Sequence, residues 1–328
     1  MGYLKGWKGI ILGGLAVFIV IWPLIYPEKF YLHVGILLLI HLIGAISLNL
    51  TMRTGLLSFI HPAFMGIGAY TSALLVMRAG LPFMISFPLA GIVPGLVALI
   101  LGPILLRLKG VYFVLISFVS GEVIRLVWVN NQSLFGGSNG IYDIPSARLG
   151  FFNLSFELST KISVYYFTLA VTLIICAACI SLIRSEFGRA LNTINENDIL
   201  AECTGVNTLK YKIFAFTLGA ILVGLAGSIY AHYIRYIAPI DFTWRLGLDF
   251  IAYNVLGGIF ATLGPIIGSI ILVPLPELLR GAVEYQWILY SIIIVLVIRF
   301  MPEGLANVRY TVSRIRRIGR LGTIQGSV

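Results

Sequence analysis

Eight stretches of the chain run without a single Asp, Glu, Lys or Arg: residues 9–27, 30–52, 54–77, 79–106, 162–183, 213–234, 250–276 and 285–298. A ninth, 110–130, is interrupted only by Glu122 and Arg125. Most exceed the roughly 20 residues with which an α-helix crosses about 30 Å of hydrocarbon. In lipid every backbone N–H and C=O must find its partner inside the structure, and a helix does so within one segment. The runs therefore predict an all-α polytopic membrane protein. Composition agrees, since 59% of residues are apolar and only 11% charged, outside the soluble globular range.

Charge then sets the expected topology. The net charge of +10 could suggest a nucleic-acid partner, but Lys and Arg also accumulate on the cytoplasmic side of membrane proteins. With the N-terminus inside and the runs alternating, Lys5, Lys8, Arg53, Arg107, Lys109, Arg184, Arg189, Lys210, Lys212 and five tail arginines (Arg309, Arg314, Arg316, Arg317, Arg320) fall inside. Lys29, Arg78, Arg148, Lys161, Arg235, Arg245 and Arg280 fall outside. The first run lacks a small-x-small cleavage site and ends at Trp22-Pro23, so it is expected to be retained as a span. The run 250–276 is long for one crossing and short for two, and Gly257-Gly258 and Gly264-Pro265 interrupt it. A single crossing would strand the basic tail outside. The expectation is eight long transmembrane helices plus a broken pair, either re-entrant or two short spans, with both termini cytoplasmic. About ten membrane segments result, and one long outer loop, 131–161.

Several functions are disfavoured. There is no Gly-Lys dipeptide and hence no phosphate-binding loop of the Walker type. His33, His41, His61 and His232 do not cluster at metal-ligand spacing, and no His-Glu-x-x-His occurs. Cys176, Cys179 and Cys203 suggest packing rather than a disulfide framework. Only Glu122 and Arg125 place charge clearly within a span; three residues apart, they share a helical turn and are expected to neutralise one another as a structural ion pair. A proton relay would need more partners. Energy is thus expected from elsewhere.

Two apolar segments are irregular. In the segment 54–75, Gly55, Pro62, Gly66 and Gly68 perturb a helix that also carries Ser58, His61 and Tyr70. Gly55 precedes Pro62 by the same interval as Gly258 precedes Pro265. Paired broken helices often mark a translocation pathway. Ser58, His61, Pro62 and Tyr70 in the first, with Asn254, Gly264 and Pro265 in the second, are the candidate pathway residues; an ordinary kinked interface of small residues is the alternative. The outer stretch FGGSNGIYDIP, 135–145, is dense in turn formers and should be ordered.

The remaining feature is a polar island, EFGRALNTINENDILAECTGVNTLKYK, residues 186–212, with seven charged side chains. Leu191 and Ile194 share one helical face. Asn197 is a plausible N-cap with Asp198 in the first turn, Ile199, Cys203 and Val206 form an apolar stripe, Asp198 and Glu202 share another face, and Gly205 can end the helix in a left-handed cap. Ala190 and Ala201 are small residues near the turns. One or two short amphipathic helices are expected on the cytoplasmic side. Their acidic character argues for a protein partner rather than a lipid surface.

Together GLLSFIHPAFMGIGAYTSALL, RLKGVYFVLISFVSGEVIRL, GGSNGI, the island with its continuation to HY, LGGIFATLGPIIGSIIL and RFMPEGL resemble the permease subunits of branched-chain amino acid ABC importers of the LivM type, over nearly the whole chain. The resemblance implies a permease domain at 1–308, a coupling region at 184–212 and a basic cytoplasmic tail at 309–328. It implies that Gly188, Arg189, Ala190, Asp198, Ala201, Glu202 and Gly205 couple the chain to an ATPase, with Ala201-Glu202 and Gly205 at the core. It further implies a second homologous permease of the LivH type, two ATPases of the LivG/LivF type that use ATP-Mg, a periplasmic binding protein, and residence in the bacterial inner membrane. No cofactor and no catalytic residue are implied for this chain. Urea or short-chain amides are the alternative substrates within this architecture, and an ion-coupled secondary transporter is the alternative outside it.

Overall fold

The computed structural model describes residues 28–151, 154–157, 160–278 and, beyond these, 288, 291, 292, 295, 299, 304 and 305. Among them, five helices are long and apolar enough to cross a membrane. These are α1 (Lys29–Met52), α3 (Phe83–Leu105), α4 (Val111–Asn130), α6 (Lys161–Arg184) and α9 (Thr208–Ile234). Between them lie shorter pieces: α2 (His61–Met77), α5 (Gln132–Phe135), α7 (Glu186–Glu196), α8 (Asp198–Cys203), α10 (Trp244–Gly257), α11 (Gly264–Leu272) and α12 (Pro274–Leu278). The expected first span, most of the last one and the basic tail lie outside the described residues.

The centre is α9. It packs against α1, α2 and α3, and the contacts are made backbone to backbone. A Cβ added at Gly224 would lie 2.4 Å from the Ala90 carbonyl of α3, and one at Gly227 2.0 Å from the Met65 carbonyl of α2. Lipid tails are as apolar as leucine, so helices in a membrane gain most from such close approach and from buried hydrogen bonds. Larger side chains fill the spaces that remain; Ile36, Ile40, Ile43, Leu48, Phe64, Phe113, Phe216 and Phe250 are fully buried.

The structure departs from the expected helices at residues 54–60 and in the long loop, and it bears out the break expected within 250–276. Residues 54–60 are not helical, and α2 begins only at His61. Gly55 takes φ +81°, which turns the chain out of α1. Pro62 therefore sits in the first turn of α2, where its missing N–H is not needed, instead of kinking a longer helix. The run 250–276 is a helical hairpin. Gly258 (φ +102°) ends α10, and Gly264-Pro265 opens α11. The two helices run antiparallel, because Gly257 faces Gly264 and Tyr253 faces Gly268. The loop 131–161 also carries a short antiparallel hairpin, β1 (Arg148–Phe151) with β2 (Leu154–Glu157), so the helical bundle is not purely α.

Candidate functional site

The polar island folds as a bent helix pair under the bundle. Ser185 caps α7, its hydroxyl accepting from the Phe187 amide at 3.2 Å. Gly188 lies directly on the Ile183 carbonyl of α6, where a Cβ would approach to 1.9 Å. Leu191 and Ile194 point inward and are buried, and Phe187 stacks on Tyr211 of α9. Arg189 pairs with Glu186 in the solvent, and Ala190 is half-buried.

Asn197 then starts α8, its side-chain oxygen accepting from the amides of Ile199 (3.0 Å) and Leu200 (3.1 Å). Gly205, at φ +88°, ends the turn in the left-handed region. Both caps are those the sequence predicts. The orientation is the reverse of the expected one. Asp198 faces the protein, its Oδ2 accepting from Lys212 of α9 at 2.7 Å and pairing with Lys109 of the α3–α4 connection at 3.1 Å. Glu202 accepts from the Thr208 hydroxyl at 2.7 Å, and Ala201 is fully buried. Ile199 and Leu200 are instead 68% and 60% exposed, and Cys203 is exposed too, so it is no packing residue. The physical reason is electrostatic: the half-buried Asp198 carboxylate needs the nearly buried Lys212 ammonium, and that pairing turns the apolar edge outward. Burial pushes the Asp198 carboxyl upward, but the hydrogen bonds and charges of Lys212 and Lys109 outweigh it and hold it below the usual carboxylate range.

The candidate pathway residues fall into three places. Ser58 and His61 are fully buried; Ser58 Oγ lies 3.0 Å from His61 Nδ1, and the ring packs edge-on to Phe64 and Phe216. Pro62 lies close to Gly247 of α10. Tyr70 belongs to an aromatic cluster with Trp128, Phe135 and Phe242. Asn254 is buried at the hairpin, near Gly264 and Pro265. Glu122 and Arg125 form the anticipated ion pair at 2.7 Å.

Two sets of contacts were not foreseen from the sequence. Asn49 and Arg53, one turn apart at the end of α1, reach the hairpin. Asn49 Nδ2 donates to Asn254 Oδ1 and to the Ile259 carbonyl, both at 2.8 Å. Polar residues one turn apart at the end of an apolar run were the available signal. The second group is a buried knot joining α2, α3 and α9. Ser228 donates to Ser72 at 2.8 Å, and His232 Nε2 lies 2.9 Å from the Ser72 hydroxyl. His232 Nδ1 faces the Pro145 carbonyl at 2.7 Å, so Nδ1 carries the proton and Nε2 accepts. This ties the outer loop to the core. The loop itself is ordered: Gly136, Gly137 and Gly140 adopt positive φ, Ile141 bridges to Ile237, and Tyr236 donates to the Asn139 carbonyl at 3.1 Å.

Residues 30–301 match the family model described as the permease component of branched-chain amino acid transport systems. The chain belongs to that family. It is 30% identical to the high-affinity branched-chain amino acid permease LivM of Escherichia coli K12, over 90% of this chain and 74% of that one. It is 24% identical to a probable LivH permease of Methanocaldococcus jannaschii, over 86% and 93%. A shorter stretch, 31% of the chain, is 34% identical to the autoinducer 2 import permease LsrC of Yersinia enterocolitica. No solved structure matches.

Proposed function

We propose that this family member is the LivM-type translocation subunit of an inner-membrane ABC importer, moving leucine, isoleucine or valine that a periplasmic binding protein delivers. The observation that carries the coupling part is the exposed Ile199–Leu200 edge on a helix whose base is fixed by Asp198 and Glu202. Such an edge fits a groove on an ATPase subunit, and the rigid base lets the groove's movement act on the bundle. Gly188 and Arg189 shape the preceding corner, and Gly205 the exit. Similarity to both LivM and LivH relatives supports a heterodimer with a second permease. The ATPases would bring ATP-Mg; this chain contributes no phosphate-binding loop. A zwitterion with an apolar side chain needs few fixed charges along its route, in keeping with Glu122 and Arg125 neutralising each other. Ser138 and Asn139, exposed on the ordered outer loop, are the face offered to the binding protein.

The test is uptake by the reconstituted complex of both permeases, the ATPases and the binding protein. ATP-dependent accumulation of labelled leucine is expected. Accumulation of urea or a short-chain amide without leucine would replace the substrate assignment.

A further inference from the structure

We propose that Arg53 is a positioning residue, the joint through which movement of α7 and α8 reaches the tip of the α10–α11 hairpin. The proposal rests on the transport function above and adds the internal route.

Arg53 follows α1 directly and is 1% exposed. Its Nε donates to Asn49 Oδ1 at 2.8 Å and its Nη2 to the Phe260 carbonyl at 3.0 Å. Asn49 donates in turn to the neighbouring Ile259 carbonyl, and Asn254 Nδ2 closes the cluster onto the carbonyls of Ala45 and Phe250 at 2.9 and 2.8 Å. Among the described residues no carboxylate pairs with Arg53. Burying an ammonium or guanidinium without a counter-charge is costly, and a residue needed only for packing would be Met or Leu. What the guanidinium supplies is a rigid fork of donors. The hairpin tip, 258–263, is not helical, and the Ile259 and Phe260 carbonyls in it are met by Asn49 and Arg53.

The segment that follows Arg53 is anchored to α7. Two positions on, Gly55 lies against α7, where an added Cβ would come within 2.9 Å of Asn195 Oδ1. Asn195 is two residues from the Asn197 cap of α8. Contacts thus run without a gap from α8 through α7 and Gly55 to Arg53 and the tip. Gly304 lies on Gly258 from another side, an added Cβ approaching its Cα to 2.3 Å. The tip is therefore held at Ile259 and Phe260 from α1 and at Gly258 by Gly304.

The experiment uses the complete transporter in vesicles, with Cys176, Cys179 and Cys203 replaced by Ser and the half-buried Thr262 replaced by Cys as a reporter. Maleimide labelling of Thr262→Cys should change at least threefold between nucleotide-free and ATP-Mg conditions. Adding Arg53→Met should abolish that change and cut leucine uptake at least tenfold while ATP hydrolysis stays within twofold. Retained nucleotide-dependent labelling in Arg53→Met, or a parallel fall of hydrolysis and uptake, would each overturn the proposal. If Arg53→Met does not reach the membrane, Arg53→Lys, which loses the fork, is read in the same way. A parent complex that labels as expected but takes up no leucine would count against the substrate and leave the joint standing.

Discussion

Asp198 is the residue on which the attachment of α8 turns. Alone, its partial burial would favour the neutral acid; Lys212 and Lys109 reverse that, so its folded pKa lies below the unfolded value. A carboxyl depressed in this way contributes stability above its unfolded pKa of about 4 and loses it as pH falls through the folded value. A polarity-sensitive label on exposed Cys203 should thus report a seated α8 at neutral pH and a released one only under strong acid. In Asp198→Asn the nearly buried Lys212 ammonium loses its counter-ion, at a cost of about 2 kcal/mol. The label should then report a loosened helix across the whole range. An unchanged, acid-sensitive signal in that variant would count against the pairing.

At the scale of elements, the helix ends were legible in the sequence and their facing was not. Asn197 and Gly205 act on amides and φ angles within a few residues, so local chemistry reveals them. Which way α8 faces depends on Lys109 and Lys212, which other elements bring to Asp198. The acidic character of α8 pointed Asp198 and Glu202 toward a partner; the salt bridge instead holds Asp198 against the protein and leaves Ile199 exposed. The break at 54–60 was hidden for a similar reason. Its residues are as apolar as their neighbours, and only the conformation of Gly55 distinguishes a helix start at Pro62 from a kink. The echo between Gly55–Pro62 and Gly258–Pro265 did carry over, since both glycines take positive φ and both prolines stand in a first helical turn. Two predictions belong here. Replacing Ile199 and Leu200 together by Asp should abolish co-purification of the ATPase subunits while membrane levels stay unchanged. Gly257→Ala should force the hairpin apart, because the added methyl would meet the Gly264 carbonyl at 1.7 Å. A loss of about 1–3 kcal/mol, read as a lower unfolding temperature in detergent, is expected for such overpacking.

For the molecule as a whole, class and family were readable because uncharged runs and several ordered motifs extend along most of the chain. The residues that hold the bundle together were not, since Asn49, Ser72 and His232 gain meaning only from partners far along the chain. The same sparseness of charge bears on energy. Purified protein alone in liposomes under a proton or sodium gradient should accumulate no leucine, and accumulation would identify an ion-coupled carrier. The position of α9 has a consequence for biogenesis as well. Asn49 meets Asn254 across 205 residues, and Ser72 meets Ser228 across 156. At about 5–20 residues per second of translation, the Asn49 amide waits roughly 10 to 40 s for its partner. During that time α1, α2 and α3 lie in the bilayer with the Asn49 amide short of its partner, and with the glycine surface of their future neighbour still on the ribosome. The early half of this chain must then be sheltered by the insertion machinery, and a stall before residue 234 should turn it into a substrate for membrane proteolysis.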